Sequence, residues 1–191
     1  MNNREFFNKI ASNWDEICYH DPKKLRKIIN LSKIKENSQI LDVGTGTGVL
    51  IQYLLKTNPK SILAIDIAEN MLNIARKKYK DERVSFIRED ILNFNGKLFD
   101  YIFLYSVYPH FEDKEKLFKH IYSLLKNNGK IIIAHSESKE KINNIHKSKS
   151  EVKNHLLDSA ETTSNVMKKY FIINKIIDNK EMYFILGEKN I

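Results

Sequence analysis

Apolar residues in this chain fall into short unbroken runs, separated by stretches in which they recur every three or four positions. Residues 38–43, 61–65, 84–88, 99–105 and 129–135 are compact apolar runs with little alternation, the pattern of strands covered on both faces. Between them, 49–56, 70–80 and 113–126 carry helical spacing. In the last, Leu117, Phe118, Ile121, Leu124 and Leu125 share one face. Glu112 and Asp113 stand at its start, and Lys126-Asn127-Asn128-Gly129 is expected to close it with a basic residue and a C-terminal glycine. Strand–helix alternation of this kind predicts a mostly parallel sheet with right-handed crossovers. Two further runs, 171–177 and 182–188, are separated by a few polar residues around Asp178-Asn179-Lys180. That connection is too short for a crossover, so the pair is expected to form an antiparallel hairpin. Ahead of the first strand, 4–13 and 22–33 read as helices that pack as a flap over the sheet. The fold class is thus α/β, a doubly wound and mostly parallel sheet of seven strands with a C-terminal hairpin and N-terminal lid helices. Repeats and Gly/Ser/Pro linkers are absent from the sequence. The expectation is one domain over 1–191, with 1–35 as lid and 36–191 as core.

Composition narrows the setting. The chain is 42% apolar and 29% charged, ordinary for a folded globular protein. No apolar run approaches a membrane span, and the opening MNNREFFNKI has no signal-peptide apolar core. Cys18 is the single cysteine, which excludes an intrachain disulfide and a cysteine metal cluster and suggests a reducing cytoplasm. The net charge of +8 raises nucleic acid as a partner. The excess is mostly Lys and is scattered along the chain, so it reads as a solvated basic surface.

The chemistry concentrates in ILDVGTGTGVL, residues 40–50, which spends three of the chain's six glycines within five positions. Glycine loses the most backbone freedom on folding, so the cluster implies a tight turn or a ligand that comes closer than a Cβ allows. The segment joins the first strand to a helix, at the carboxyl edge where open α/β sheets bind ligands. Spacing sorts those ligands. Gly48 comes one position too early for a dinucleotide G-x-G-x-x-G, and Val49-Leu50 lack the Lys and Ser/Thr of a P-loop. What remains is G-x-G-x-G preceded by Asp42, a carboxylate that repels pyrophosphate and suits a cationic or amino-bearing ligand. Asp66 ends the second strand, where a carboxylate accepts from both ribose hydroxyls of an adenosine. Asp90 follows the third strand, placed to face an adenine amino group, with Ile67 and Ile91 flanking the ring. Taken singly, each Asp also reads as a helix cap or turn residue. Three of them at the ends of successive strands point to a nucleoside.

These residues resemble the class I S-adenosylmethionine-dependent methyltransferases. ILDVGTGTGVL is similar to the family's first motif, AIDIAENML to the second and REDIL to the adenine-side acidic position. FDYIFLYSV resembles the fourth strand and LLKNNGKIIIAH the helix-turn-strand that follows, so the likeness covers about residues 36–188. It implies a Rossmann-like core with S-adenosylmethionine as cofactor. It further implies a donor site of Asp42, Gly44, Thr45, Gly46, Gly48, Asp66, Ile67, Met71, Asp90, Ile91 and Tyr105. FFNKIASNWDEICYH resembles the lid helix of small-molecule and quinone methyltransferases, which brings Trp14 and Tyr19 over the donor. LYSVYPHF lacks the Asn/Asp-Pro-Pro-aromatic signature of enzymes that methylate amino groups in DNA and protein. The expected partner is therefore a small-molecule methyl acceptor. An RNA or DNA methyltransferase, an NAD-dependent oxidoreductase and a non-catalytic nucleoside-binding protein are the alternatives.

For the acceptor side, His110 follows the fourth strand, His135 ends the fifth and His146 lies on a segment able to fold back over the same mouth. They serve as a base for the acceptor or as neutral imidazoles that hold a metal ion or a metal-bound substrate. The expectation favours substrate handling without a permanent metal, because no acidic ligand is clearly placed beside them in the sequence.

Overall fold

The computed structural model describes residues 2–190. Its N-terminal helices are α1 (Asn3–Ile10), α2 (Trp14–Ile17) and α3 (Pro22–Ser32), with a 3-10 turn over Ala11–Asn13 between the first two. Strand β1 (Gln39–Val43) opens the sheet and leads through the glycine turn into α4 (Ile51–Leu55). There follow β2 (Ser61–Asp66), α5 (Glu69–Lys78), β3 (Val84–Arg88), β4 (Phe99–Tyr105), α6 (Lys114–Leu124) and β5 (Leu125–His135). Helices α7 (Lys139–Lys147) and α8 (Ala160–Met167) precede the closing hairpin β6 (Phe171–Asp178) and β7 (Tyr183–Lys189).

The seven strands form one sheet in the order β3-β2-β1-β4-β5-β7-β6. The first five run parallel, and β7 lies antiparallel between β5 and β6. Successive residues of each central strand serve opposite faces, as the pleat requires. Leu41, Val43, Ile102, Leu104, Ile131 and Ile133 pack with α6 and α8 residues such as Phe118, Ile121 and Met167. Ile40, Ile62, Phe103, Ile132 and Phe184 pack with Leu25 and Ile28 of α3 and Leu54 of α4. Strand order reverses between β1 and β4, so their carboxyl ends part around a crevice.

Helix α6 differs from its expected end. It stops at Leu124, and β5 begins at once with Leu125 opposite Phe99. Lys126–Gly129 is an irregularity inside β5, after which Lys130 opposes Tyr101. Its left-handed residue is Asn128 (φ 60°), while a Cβ on Gly129 would lie 2.8 Å from the Lys126 carbonyl oxygen. Gly129 is there for space and not to cap a helix.

Two helices were not anticipated. α7 buries no residue fully and gives the core only the half-buried Ile142, so its apolar signal in the sequence is weak. α8 buries Ala160, Thr163, Ser164 and Met167, a helical spacing written largely in small and polar residues. Thr163 belongs there because it accepts a 2.9 Å hydrogen bond from the Tyr183 hydroxyl.

Helices α1 and α2 lie across the carboxyl edge, whereas α3, expected as part of the flap, buries Leu25, Ile28 and Ile29 in the core on one face of the sheet. Phe7, Ile10 and Trp14 pack on Ala11, Ala68 and Met71, and Asn70 bonds Asn8 twice, at 2.9 and 3.0 Å. Asp15 accepts from Thr47 Oγ1 at 2.6 Å and pairs with Lys78, tying α2 to the glycine turn and to α5.

Gly48 belongs to this scaffold. Its φ is +86°, and an added Cβ would stand 2.8 Å from the Tyr79 ring. Left-handed backbone costs a side-chain-bearing residue about 1–2 kcal/mol before any clash. In a chain of this size 1 kcal/mol is worth roughly 2–4 °C of Tm. Gly48→Ala is therefore expected to lower the melting temperature, followed by circular dichroism, by roughly 3–8 °C. An unchanged Tm would contradict this packing role.

Candidate active site

The crevice at the switch point is a cleft of about 480 Å³, within the usual range for small-ligand sites. Asp42, Gly44, Thr45, Gly46, Asp66, Ile67, Met71, Asp90, Ile91, Tyr105 and His110 all line it. Residues from four separate segments of the sequence thus share one wall. The glycine turn folds as it does because Gly44 N–H donates to Ile65 O (2.8 Å) and Thr45 N–H to the same oxygen (3.1 Å). Gly44 has φ +66°, and a Cβ there would lie 2.4 Å from Val107 Cγ2. Only glycine leaves the backbone open against the loop after β4.

Asp66 is nearly buried, yet both of its oxygens are engaged. Oδ2 accepts from Gly46 N–H at 2.9 Å and Oδ1 from Ala68 N–H at 2.8 Å. Burial raises its pKa and these amide bonds oppose the rise. Each oxygen keeps a lone pair for a ligand hydroxyl. Asp42 is 2% exposed, and burial pushes its pKa up to about 7. A 2.6 Å bond from Thr45 Oγ1 opposes that shift, and the charge on Asp66 adds to it. Asp90 accepts from Leu92 N–H at 2.9 Å and caps the 3-10 turn Ile91–Asn93 while still facing the cleft. Its cap role and its position in the cleft coexist.

Four expected residues lie outside the cleft lining: Gly48, Tyr19, His135 and His146, the last of which stands against the His110 ring. Gly48 is under the turn against Tyr79. Tyr19 is 76% exposed and does not line the cleft, whereas its neighbour His20 does. His20 Nδ1 lies 2.6 Å from the Tyr105 hydroxyl, which donates to Ser136 Oγ at 2.9 Å. His135 sits behind the wall, 1% exposed, edge-on to Tyr183.

The histidines do converge. His110 and His155 approach Nδ1 to Nδ1 at 3.0 Å, and the His146 ring centroid lies 5.1 Å from that of His110. The His146 Nδ1–H donates to the carbonyl of His155. Burial holds His110 well below the ordinary histidine pKa, with His146, His155, His135 and Lys114 adding to the effect. His135 is pushed down to about 3, chiefly by burial. His146 and His155 are lowered too, again mostly by burial. All four shifts favour the neutral imidazole. Among the described residues no three His, Cys, Asp or Glu side chains are placed to hold a metal ion. His155 was missed because it stands in a connection with no periodicity and no motif around it. Phe7 was missed because it reads as ordinary packing of an amphipathic helix.

Lys116 is the sole Lys or Arg among the described residues lining the cleft, beside Glu89, Asp90, Glu112 and Asp113. Among the described residues, no helix is long and apolar enough to cross a membrane.

Known proteins agree with this geometry. The Methyltransf_31 family model, a methyltransferase domain, matches residues 34–188. A malonyl-[acyl-carrier protein] O-methyltransferase of Ilyobacter polytropus is 38% identical over 126 residues, covering 64% of this chain and 46% of that protein. A demethylmenaquinone methyltransferase of Bacteroides fragilis is 34% identical over 141 residues, covering 68% of this chain and 58% of that one. The chain spans about half the length of these curated relatives. Among solved structures, a putative S-adenosyl-L-methionine-dependent methyltransferase of Methanococcus maripaludis superposes with TM-score 0.77 at 26% identity, over 100% of this chain and 97% of that one. The N-methyltransferase NodS of Bradyrhizobium japonicum, in complex with S-adenosyl-L-homocysteine, shares the fold with TM-score 0.78 at 16% identity, over 99% of both chains. With a glycine turn and three strand-end carboxylates around one cleft and a family model matched over most of its length, this chain belongs to the class I S-adenosylmethionine-dependent methyltransferases.

Proposed function

We propose that this protein transfers the methyl group of S-adenosylmethionine to a small-molecule acceptor. The observation that carries the reading is the placement of Asp42, Asp66 and Asp90, from the ends of three adjacent strands, on one wall with the Gly44–Gly46 backbone. The site fits the cofactor chemically. Asp66 accepts from the ribose hydroxyls, Asp90 faces the adenine amino group, and Ile67, Met71 and Ile91 cover the ring. Asp42 and the glycine turn take the methionine end, whose ammonium matches a carboxylate. The cofactor supplies an electrophilic methyl on a sulfonium, and in-line displacement leaves the bonding pair on sulfur. The chain's own task is to align donor and acceptor and to keep water out. Phe7, Trp14 and Val107 form the dry side of the cleft, with His110 and Tyr105 as its polar groups.

The charge pattern of the cleft supports a small acceptor over nucleic acid. A phosphate backbone is held by several Lys or Arg side chains, and Lys116 stands alone there among acidic neighbours. The same deficit separates the cleft from one built around a phosphate monoester or a carboxylate. The acceptors named for the relatives, a malonyl thioester and a demethylated menaquinone, are thus not equally matched. A neutral ring suits the dry wall better than an anionic one.

Asp66→Ala leaves two ribose hydroxyls without a charged acceptor, a loss of about 1.5–3 kcal/mol or roughly ten- to hundred-fold in affinity. Calorimetric titration with S-adenosylmethionine is expected to show that loss in a variant whose circular dichroism is unchanged. Wild-type affinity would remove Asp66 from the site.

Affinity is also expected to depend on pH through Asp42. Its pKa of about 7 in the free protein means that it binds a proton below that value. A cationic ligand requires the ionised form, so binding expels the proton. Affinity then rises with pH up to about 7 and levels off above it, approaching ten-fold per pH unit on the acid side. Titrations between about pH 5.5 and 8.5 check this, with Asp42→Asn expected to bind more weakly and with a flat profile. A flat wild-type profile would contradict the assignment.

A further inference from the structure

The turn between α2 and α3 brings to the cleft one imidazole whose two nitrogens have different surroundings. His20 Nδ1 lies 2.6 Å from the Tyr105 hydroxyl, and that hydroxyl donates to Ser136 Oγ at 2.9 Å. A phenol has one proton to give, and Tyr105 gives it to Ser136. Burial pushes the Tyr105 pKa well up, so the phenol keeps that proton. The contact with His20 therefore requires Nδ1–H as the donor, and a neutral imidazole then carries a bare lone pair on Nε2. Burial lowers the pKa of His20 while Asp15 and Glu137 oppose the shift, which leaves the neutral ring favoured. Nε2 carries no hydrogen bond among the described residues and, unlike both nitrogens of His135, it is not sealed from solvent. The cleft wall thus holds an oriented base with its lone pair unused.

Its place in the fold suits the acceptor. With Asp90, Asp66 and Asp42 as the cofactor's contacts, adenine, ribose and methionine end follow the strand order β3, β2 and β1 along the carboxyl edge. The next strands, β4 and β5, lead to Tyr105 and Ser136, the two residues to which His20 is linked. That side of the crevice is left for the acceptor. Phe7, Trp14 and Phe111 line the same cleft, three rings against which an aromatic molecule packs well. An acceptor that entered as an oxyanion would need a cation, and Lys116 stands there among four carboxylates. A hydroxyl acceptor must therefore enter protonated and lose its proton during the transfer, which is when a base is required.

We propose that His20 is the catalytic base of this site, that Tyr105 holds it in the required tautomer, and that the acceptor is a neutral aromatic ring bearing a hydroxyl group. The acceptor oxygen uses a lone pair to form the new O–CH3 bond while the S–CH3 bond breaks and its electron pair stays on sulfur. The hydroxyl proton passes to His20 Nε2. Nδ1–H stays on the Tyr105 oxygen throughout, so the imidazolium keeps a hydrogen-bond acceptor on its other side. It returns the proton to water once the product has left. This role in the transfer rests on the methyltransferase reading, whereas the tautomer of His20 does not.

The test joins NMR of the full chain labelled with 15N-histidine to turnover with simple probes. At about pH 7.5 the His20 ring is expected as the Nδ1–H tautomer in wild type and as a mixture with the Nε2–H form in Tyr105→Phe. Radiolabelled S-adenosylmethionine is then offered with 2-naphthol, catechol and hydroquinone, and separately with aniline. Wild type should methylate at least one of the three hydroxyl probes, and faster than aniline. His20→Asn keeps an amide able to donate to Tyr105 and lacks the Nε2 lone pair. It should lower kcat at least about a hundred-fold, the lower end of what a general base contributes. Its calorimetric affinity for S-adenosylhomocysteine should stay within about two-fold. His120→Asn should turn over as wild type does, because His120 lies on α6 and bonds the Phe94 carbonyl. If His20→Asn does not fold, 2-naphthol added to wild type with S-adenosylhomocysteine bound should shift the His20 Nε2 resonance. The proposal is overturned if His20 is the Nε2–H tautomer, if His20→Asn keeps wild-type kcat, if none of the hydroxyl probes is methylated, or if 2-naphthol leaves His20 unmoved. Failure of wild type to bind S-adenosylhomocysteine would instead overturn the methyltransferase reading, with the tautomer of His20 still decided by NMR.

Discussion

Two carboxylates withdrawn from water at the ends of β1 and β2 govern the rest of the site. Burying a charge is costly unless hydrogen bonds or a counter-charge answer it, and each carboxylate is answered differently. Asp66 is satisfied from within, by the amides of Gly46 and Ala68. Asp42 has only the Thr45 hydroxyl, and its pKa rises to about 7. The glycine turn is therefore part of the electrostatics as well as a gap in the wall. It carries the Gly46 N–H to Asp66 and the Thr45 hydroxyl to Asp42. Asp42 is thus the less well satisfied of the two carboxylates in the free protein.

The lid is fastened to this centre by polar ties at its margin and by apolar packing within. Asp15 binds Thr47 of the turn and Lys78 of α5, while Asn8 brackets Asn70 at the start of the same helix. Phe7 touches both sides of the site: it packs edge-on to Trp14 (5.7 Å between ring centroids) and to His110 (5.2 Å). Asn3 reaches the His110 carbonyl at 3.4 Å. Through these contacts the N-terminal helix is joined to His110 on the loop after β4.

What was legible in the sequence follows from what one-dimensional pattern can encode. The parallel strands were plain because doubly buried strands are continuous apolar runs, and the shared position of the three carboxylates because the sheet delivers successive strand ends to one edge. Asp42, Asp66 and Asp90 could be placed by topology alone. The end of α6 was misplaced because Asn128-Gly129 looks the same whether it caps a helix or makes an irregularity in a strand. α8 escaped because its buried face is Ala, Thr, Ser and Met. His110 and His135 leave predictable strand ends, though only His110 lines the cleft. His155 arrives from an aperiodic loop 45 residues after His110 in the chain, and only tertiary packing brings the two together. Tyr19 and His20 differ by one position, and the turn after α2 decides which of them faces inward.

The central claim is that the strand-end carboxylates and the glycine turn recognise an adenosine carrying a cationic amino-acid tail. Parallel calorimetric titrations of the unmodified protein with S-adenosylmethionine, S-adenosylhomocysteine and NAD test it most directly. The account predicts one-to-one binding of the first two at micromolar affinity, because both carry the ribose, the adenine amino group and the ammonium. It predicts no measurable binding of NAD, whose pyrophosphate would face Asp42. Saturable NAD binding, or silence toward both S-adenosyl compounds, would contradict it.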